Sequence, residues 1–127
     1  MATVPQLLAW HICDNVHVDP STGKTFLLGC FSAVRSRQFP ATHPRMIWFL
    51  TIGDVAQGKH MLRISMGLEM DKLEKLVERE FESPGPQQQI NLINQMQNLQ
   101  FETPGNYQIL IEVDGEPLLV TSLIIAE

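Results

Sequence analysis

The chain has 127 residues, 44% of them hydrophobic and 18% charged, with a net charge of −5. That length suffices for one domain, 1–127, burying roughly two-thirds of its unfolded surface without a disulfide or a metal. The composition excludes a disordered chain and no apolar run is long enough for a membrane helix, while the acidic balance and nine scattered basic residues oppose nucleic acid.

The first segment, Met1 to Trp10, lacks the basic start and small-residue cleavage site of a secretory leader, so a cytoplasmic location is expected. A first strand is predicted from Leu7 to Val18. Its even positions Leu8, Trp10, Ile12, Val16 and Val18 form an apolar face interrupted by Asp14, and His11, Cys13, Asn15 and His17 share the other face. The run from Asp19 to Gly23 reverses the chain, with Gly23 free to take positive φ. A return strand then runs from Lys24 to Arg35 and places Phe26, Leu28, Cys30 and Val34 inward. Pairing Val18 with Lys24 sets Ile12 against Cys30 and Cys13 against Gly29, so the two sulfurs point to opposite faces. A slip of one residue brings them together but inverts the apolar face. Two buried, reduced thiols are therefore expected.

Ser36 to Pro44 reads as a loop with Phe39 turned inward, and Arg35, Arg37 and Arg45 around it read as solvated charges. Met46 to Ile52 is a continuous apolar run, the mark of a central strand covered on both faces. After a turn at 53–58, Leu62, Ile64, Met66, Leu68 and Met70 alternate inward along Met61 to Met70. Asp71 to Phe81 is ambiguous: Leu73, Leu76, Val77 and Phe81 have helical spacing, which the residues alone favour, and a charged edge strand fits as well. Ser83 to Pro86 breaks the chain. From Gln87 to Gln100 neither period wins, and the amide-rich surface lacks the charge that discourages edge pairing.

The C-terminal quarter is the most regular. Pro104-Gly105 is a turn, Tyr107, Ile109, Ile111 and Val113 alternate with more polar residues, and Asp114-Gly115 is a strong hairpin signal. Short strands with such punctuation indicate an all-β fold, an antiparallel immunoglobulin-like β-sandwich. Tyr107 matches the corner of such domains, where a buried Tyr bonds back to upstream backbone through its hydroxyl.

Several motifs occur in one order: Ile12-Cys13-Asp14-Asn15-Val16, Thr22-Gly23-Lys24, Leu27-Leu28-Gly29-Cys30-Phe31, Phe39-Pro40 with His43-Pro44, and Phe101 to Tyr107 with Val113-Asp114-Gly115. In these the chain resembles an uncharacterised bacterial family of small cytosolic proteins. The resemblance implies an all-β fold in which Asp71 to Phe81 is extended, and it brings no activity.

His11 and Cys13, two apart on one strand, offer two zinc ligands, with His60 or His43 needed from elsewhere. Asp14 on an apolar face must be bonded, paired or turned outward by a bulge. With no nucleophile elbow and no phosphate-binding loop, no catalytic residue and no cofactor are expected. Asp14, Gly23, Pro104, Gly105, Tyr107, Asp114 and Gly115 are given structural roles. The expected function is a non-enzymatic interaction or structural module whose partner is another protein or a second copy, met through a sheet face or edge. The alternative is a small-ligand or metal-binding protein using the strand of His11, Cys13 and Asp14.

Overall fold

Alternation at period two carries most of the chain into strands, because each pleated ribbon buries one row of side chains and solvates the other. The computed structural model describes residues 4–127; residues 1–3, where the leader reading begins, lie outside the described residues. Among the described residues there are nine strands and no helix: β1 (Gln6–Val18), β2 (Thr25–Cys30), β3 (Ala33–Arg35), β4 (Ala41–Gly53), β5 (Gly58–Gly67), β6 (Glu74–Ser83), β7 (Ile90–Phe101), β8 (Gly105–Val113) and β9 (Glu116–Ala126). They form a four-stranded sheet ordered β2-β1-β4-β7 and a five-stranded sheet ordered β3-β9-β8-β5-β6. The second sheet curls into a half-barrel. Trp48, Leu50, Leu62, Ile64, Ile109 and Leu123 anchor the core between the sheets, all fully buried.

The chain from Lys24 to Arg35 is not one strand. β2 stays beside β1, whereas β3 crosses to the other sheet and runs parallel to β9. The segment expected as a loop from Ser36 to Pro44 likewise supplies the first residues of β4. As expected, Met46 to Ile52 is buried on both faces. Met46, Trp48 and Leu50 enter the core, while Ile47 and Phe49 join Cys13 in a second cluster backed by Val16, Leu27 and Ile93. By strand alternation this second cluster lies on the outer face of the four-stranded sheet.

That sheet carries a crease along which its strands change face together. On β1, Ile12 lies in the core but Val16, of the same parity, packs with Cys13 on the outer cluster. On β7, Leu92 and Met96 are in the core, and so are Leu99 and Phe101. The phase shifts at Asn98, whose φ is +53°, opposite Pro44 in an unbroken register. On β1 and β2 it shifts where Asp14 faces Gly29, whose φ is +70°. A Cβ on Gly29 would lie 2.6 Å from Asp14 Oδ2, so glycine serves there both for its backbone and for the carboxylate above it. Asp14 is thus turned outward and exposed. Arg45 Nη2 donates to Asn15 Oδ1 at 3.0 Å, tying β4 to β1 just beyond their last pair, Cys13 with Ile47.

The crease corrects the first hairpin. Val18 pairs with Thr25 rather than Lys24, and Cys13 faces Cys30 rather than Gly29. Phe26, Leu28 and Cys30, expected inward, are exposed, as are Leu8 and Val18. On β5 the inward alternation holds for Leu62, Ile64 and Met66; the strand ends at Gly67, leaving Leu68 and Met70 about half exposed. Residues 74–83 are strand, not helix. Ile64 pairs with Val77 but Ser65 with Lys75, so Leu76 is an extra residue in a bulge. Leu76 and Val77 both pack against the core, which imitates helical spacing.

β8 and β9 follow the expected alternation. Asp114 and Gly115 both take positive φ, +53° and +82°, the conformation that a two-residue primed turn requires. Gly23 takes +74° in the first hairpin, and its N–H donates to Asp19 O at 2.7 Å. Tyr107 is buried, meets Phe101 edge-on at 5.1 Å and donates its hydroxyl to Thr103 O at 2.7 Å across the Pro104-Gly105 turn. Tyr107→Phe removes only that bond and is expected to cost about 1 kcal/mol. Tyr107→Ala also empties the ring's site and is expected to cost about 3–5 kcal/mol. Urea unfolding of both variants separates the two contributions.

Candidate functional site

The two sheets meet at an open side. β7 ends the four-stranded sheet and β6 ends the five-stranded one, so consecutive strands present their free edges to each other. The connection at 84–89 is anchored by Ser83, which is buried, donates to Val55 O at 2.9 Å and accepts from Gly85 N at 3.1 Å. A groove lined by Leu76, Val77, Arg79, Ile93, Asn94 and Met96 runs between the edges. Arg79 reaches across it, Nη1 donating to Ile93 O at 3.1 Å.

Asn94 is the uncommon residue in this groove. It takes an inward position between Leu92 and Met96 and is only 5% exposed. Its Nδ2 donates to Trp48 O at 3.1 Å, while Oδ1 is buried with no partner among the described residues. An acceptor removed from water without a donor costs roughly 1–3 kcal/mol, so the position favours any donor that enters. Along the outer side of the same strand stand Asn91, Gln95 and Gln97, and Asn91 Oδ1 accepts from Thr51 Oγ1 at 2.8 Å. The amide-rich composition of 87–100 was the one signal in the sequence that pointed here. Arg79 and the orphaned Asn94 oxygen carried no signal, because both depend on which edges the topology brings together.

The residues considered for a metal do not converge. His11 is exposed on β1, Cys13 is buried in the outer cluster, and His60 lies on β5 in the other sheet. Among the described residues no group of three or more His, Cys, Asp or Glu is placed to hold an ion. Asp14 instead lines a cleft with Cys30, Phe31, Arg35 and His43, whose ring lies 5.8 Å from that of Phe31.

His60 has a structural task. Its Nδ1 contacts Asp114 Oδ2 at 2.6 Å and its Nε2 contacts Ala56 O at 2.7 Å. Two acceptors facing both ring nitrogens favour the doubly protonated ring. The ring also stacks on Phe81 at 5.7 Å. The Asp114 bond raises the His60 pKa from its ordinary 6.5, against partial burial and with help from Ala56 O. For Asp114, burial pushes up, but the bonds from His60 and from Met61 N outweigh it and leave the carboxyl below its ordinary 3.8. These contacts clamp the turn before β5 to the β8–β9 hairpin. The raised His60 contributes stability fully below pH 6.5 and loses it as pH rises through the higher folded value. The lowered Asp114 contributes above 3.8 and loses its share as pH falls through its folded value. The stability difference between wild type and His60→Ala in urea is therefore expected to peak at about pH 5 and to shrink toward about pH 9. A difference that is flat across that range would show that the clamp is not ionic.

No curated protein matches the chain. Among solved structures it is similar to Pseudomonas fluorescens alkylpurine DNA glycosylase AlkC bound to DNA containing an abasic site analog, with a TM-score of 0.55 and 10% identity. The match covers 97% of this chain and 30% of the glycosylase chain, so this chain spans less than a third of that protein's length. At such identity the likeness extends to the fold alone. Residues 8–126, from the third residue of β1 to the end of β9, match the family model of DUF6941, a family of unknown function, and the chain belongs to that family.

Proposed function

We propose that this protein is a non-enzymatic interaction module that joins a second copy of itself through the free edge of β7. The observation that carries this reading is an edge strand of twelve residues with no charge on it. From Gln87 to Phe101 there is no Lys, Arg, Asp or Glu in a chain of net charge −5. This edge, roughly 40 Å long, offers a row of backbone donors and acceptors interrupted where Arg79 Nη1 already caps Ile93 O. Two copies related by a two-fold axis lay identical strands antiparallel, and like charges, which oppose association elsewhere on an acidic surface, are missing along this line. Asparagine and glutamine side chains are both donors and acceptors, so each row complements itself.

The Tyr107 bond to Thr103 supports an immunoglobulin-like sandwich as the fold's finer description. DNA binding by the glycosylase is not carried over, since an acidic chain has no dense basic surface to release counterions. Sedimentation equilibrium tests self-association. Wild type is expected as a reversible dimer, and Gln95→Lys, which places like charges across the two-fold axis at an exposed position, is expected to weaken it by about tenfold or more, or about 1.4 kcal/mol. A wild-type species that stays monomeric at the highest soluble concentration removes the self-association and leaves a foreign strand as the edge's partner.

A second reading, small-ligand or metal binding, rests on the cleft lined by Asp14, Cys30, Arg35 and His43, where the side chains are not close enough together for a three-ligand metal site. It predicts that zinc raises the melting temperature of wild type and not of Asp14→Asn, because a ligand of the native state stabilises it. Protein purified without a metal-affinity tag that carries no zinc and shows no such rise refutes this reading.

A further inference from the structure

Cys13 and Cys30 stand directly opposite each other on β1 and β2. Phe31 N donates to Ile12 O at 2.9 Å, the bond that flanks this pair and marks it as a non-hydrogen-bonded position of the antiparallel ladder. At such positions facing Cα atoms are about 4.5 Å apart and both side chains leave the sheet on the same side. That separation falls inside the span of roughly 4.4–6.8 Å over which a disulfide closes. Both thiols are free, Cys13 buried and Cys30 exposed at the sheet edge between two concavities of the surface. Gly29, in a left-handed conformation next to Cys30, gives the edge strand local latitude.

We propose that Cys13 and Cys30 form a reversible dithiol–disulfide pair whose oxidant is a small disulfide of the glutathione class. Cys30, the accessible member, reacts first. Its thiolate attacks one sulfur of the small disulfide, forms a mixed disulfide and expels one small thiolate. Cys13 then gives its proton to solvent, and its sulfur attacks Cys30 Sγ, breaking the mixed bond and expelling the second small thiolate. In sum the two cysteines lose two electrons and two protons, and the small disulfide becomes two thiols. Burial, followed by the neighbouring Cys30 and Asp14 charges, pushes the Cys13 thiol up, with the N–H groups of Leu28 and Asn15 acting against this. Cys13 is therefore the protected, resolving member, and it acts only on a sulfur brought directly opposite it. The bond fastens the edge strand β2 to β1 beside the outer apolar cluster.

Incubation of the folded chain with oxidised glutathione, followed by intact mass measurement under non-reducing, denaturing conditions, tests the pair. Wild type is expected to lose the mass of two hydrogens and both alkylatable thiols, to give a peptide pair linked through Cys13 and Cys30, and to recover on reduction. Cys13→Ala, which keeps the buried site apolar, is expected to stop at a stable glutathione adduct on Cys30. Cys30→Ser is expected to leave Cys13 unreacted while the chain is folded. A persistent adduct on wild-type Cys30, a disulfide between two chains, or two thiols still free when a small exposed control thiol is fully oxidised would each overturn the proposal.

Discussion

The first hairpin and the doubly covered β4 depend on the crease across the four-stranded sheet. A β-strand alternates faces strictly, so a sheet that must bury residues of one parity at one end and the other parity at the opposite end needs a line of compensating backbone turns. Here Gly29 and Asn98 supply positive φ on the two edge strands, while Asp14 and Pro44 sit opposite them on the two inner strands. Because an extra residue is absorbed on both partners, register is kept while the faces exchange. The result is an apolar cluster on each side of β4, and it explains how Met46 to Ile52 is covered twice in a single chain.

The same crease sets the chemistry of the two cysteines. Cys13 and Cys30 form the β1–β2 pair just beyond it, at the end of β2, which is why they face each other although the apolar pattern of the hairpin implies that they do not. The exposed side of the molecule has a different origin. β6 and β7 are joined by a short connection yet belong to different sheets, so neither can cover the other's edge with backbone hydrogen bonds. β6 carries mixed charges along its edge, including Glu78, Arg79 and Glu80, and β7 carries amides. The two edges thus differ in their resistance to an incoming strand.

Much of the five-stranded sheet was legible in the sequence because its strands keep one phase. Tyr107, Ile109, Ile111 and Val113 are buried as their alternation implies, and Asp114-Gly115 makes the expected tight turn. Where legibility failed, a backbone irregularity had shifted the phase. The bulge at Leu76 imitates a helix, the left-handed Asn98 hides the strand at 90–101, and the paired kink at Asp14 and Gly29 misplaces the first hairpin. Of the candidate groove, only the amide composition of β7 was visible beforehand. Arg79, the unpaired oxygen of Asn94 and the cleft around His43 arise from elements far apart in the chain, and local patterns do not encode such meetings.

The strand order also bears on how the chain reaches this state. Among the described residues, only β1 with β2, β5 with β6 and β8 with β9 are neighbours both in sequence and in a sheet. The seams that complete the sheets, β1 with β4, β4 with β7, β5 with β8 and β3 with β9, each close a long excursion of chain. Loop closure on that scale must come before most of the contacts that reward it, so the chain belongs with domains that fold in roughly milliseconds to seconds rather than microseconds. During that interval three hairpins wait for one another, and the neutral tract at 87–101 stays without its β4 partner for as long as the search lasts.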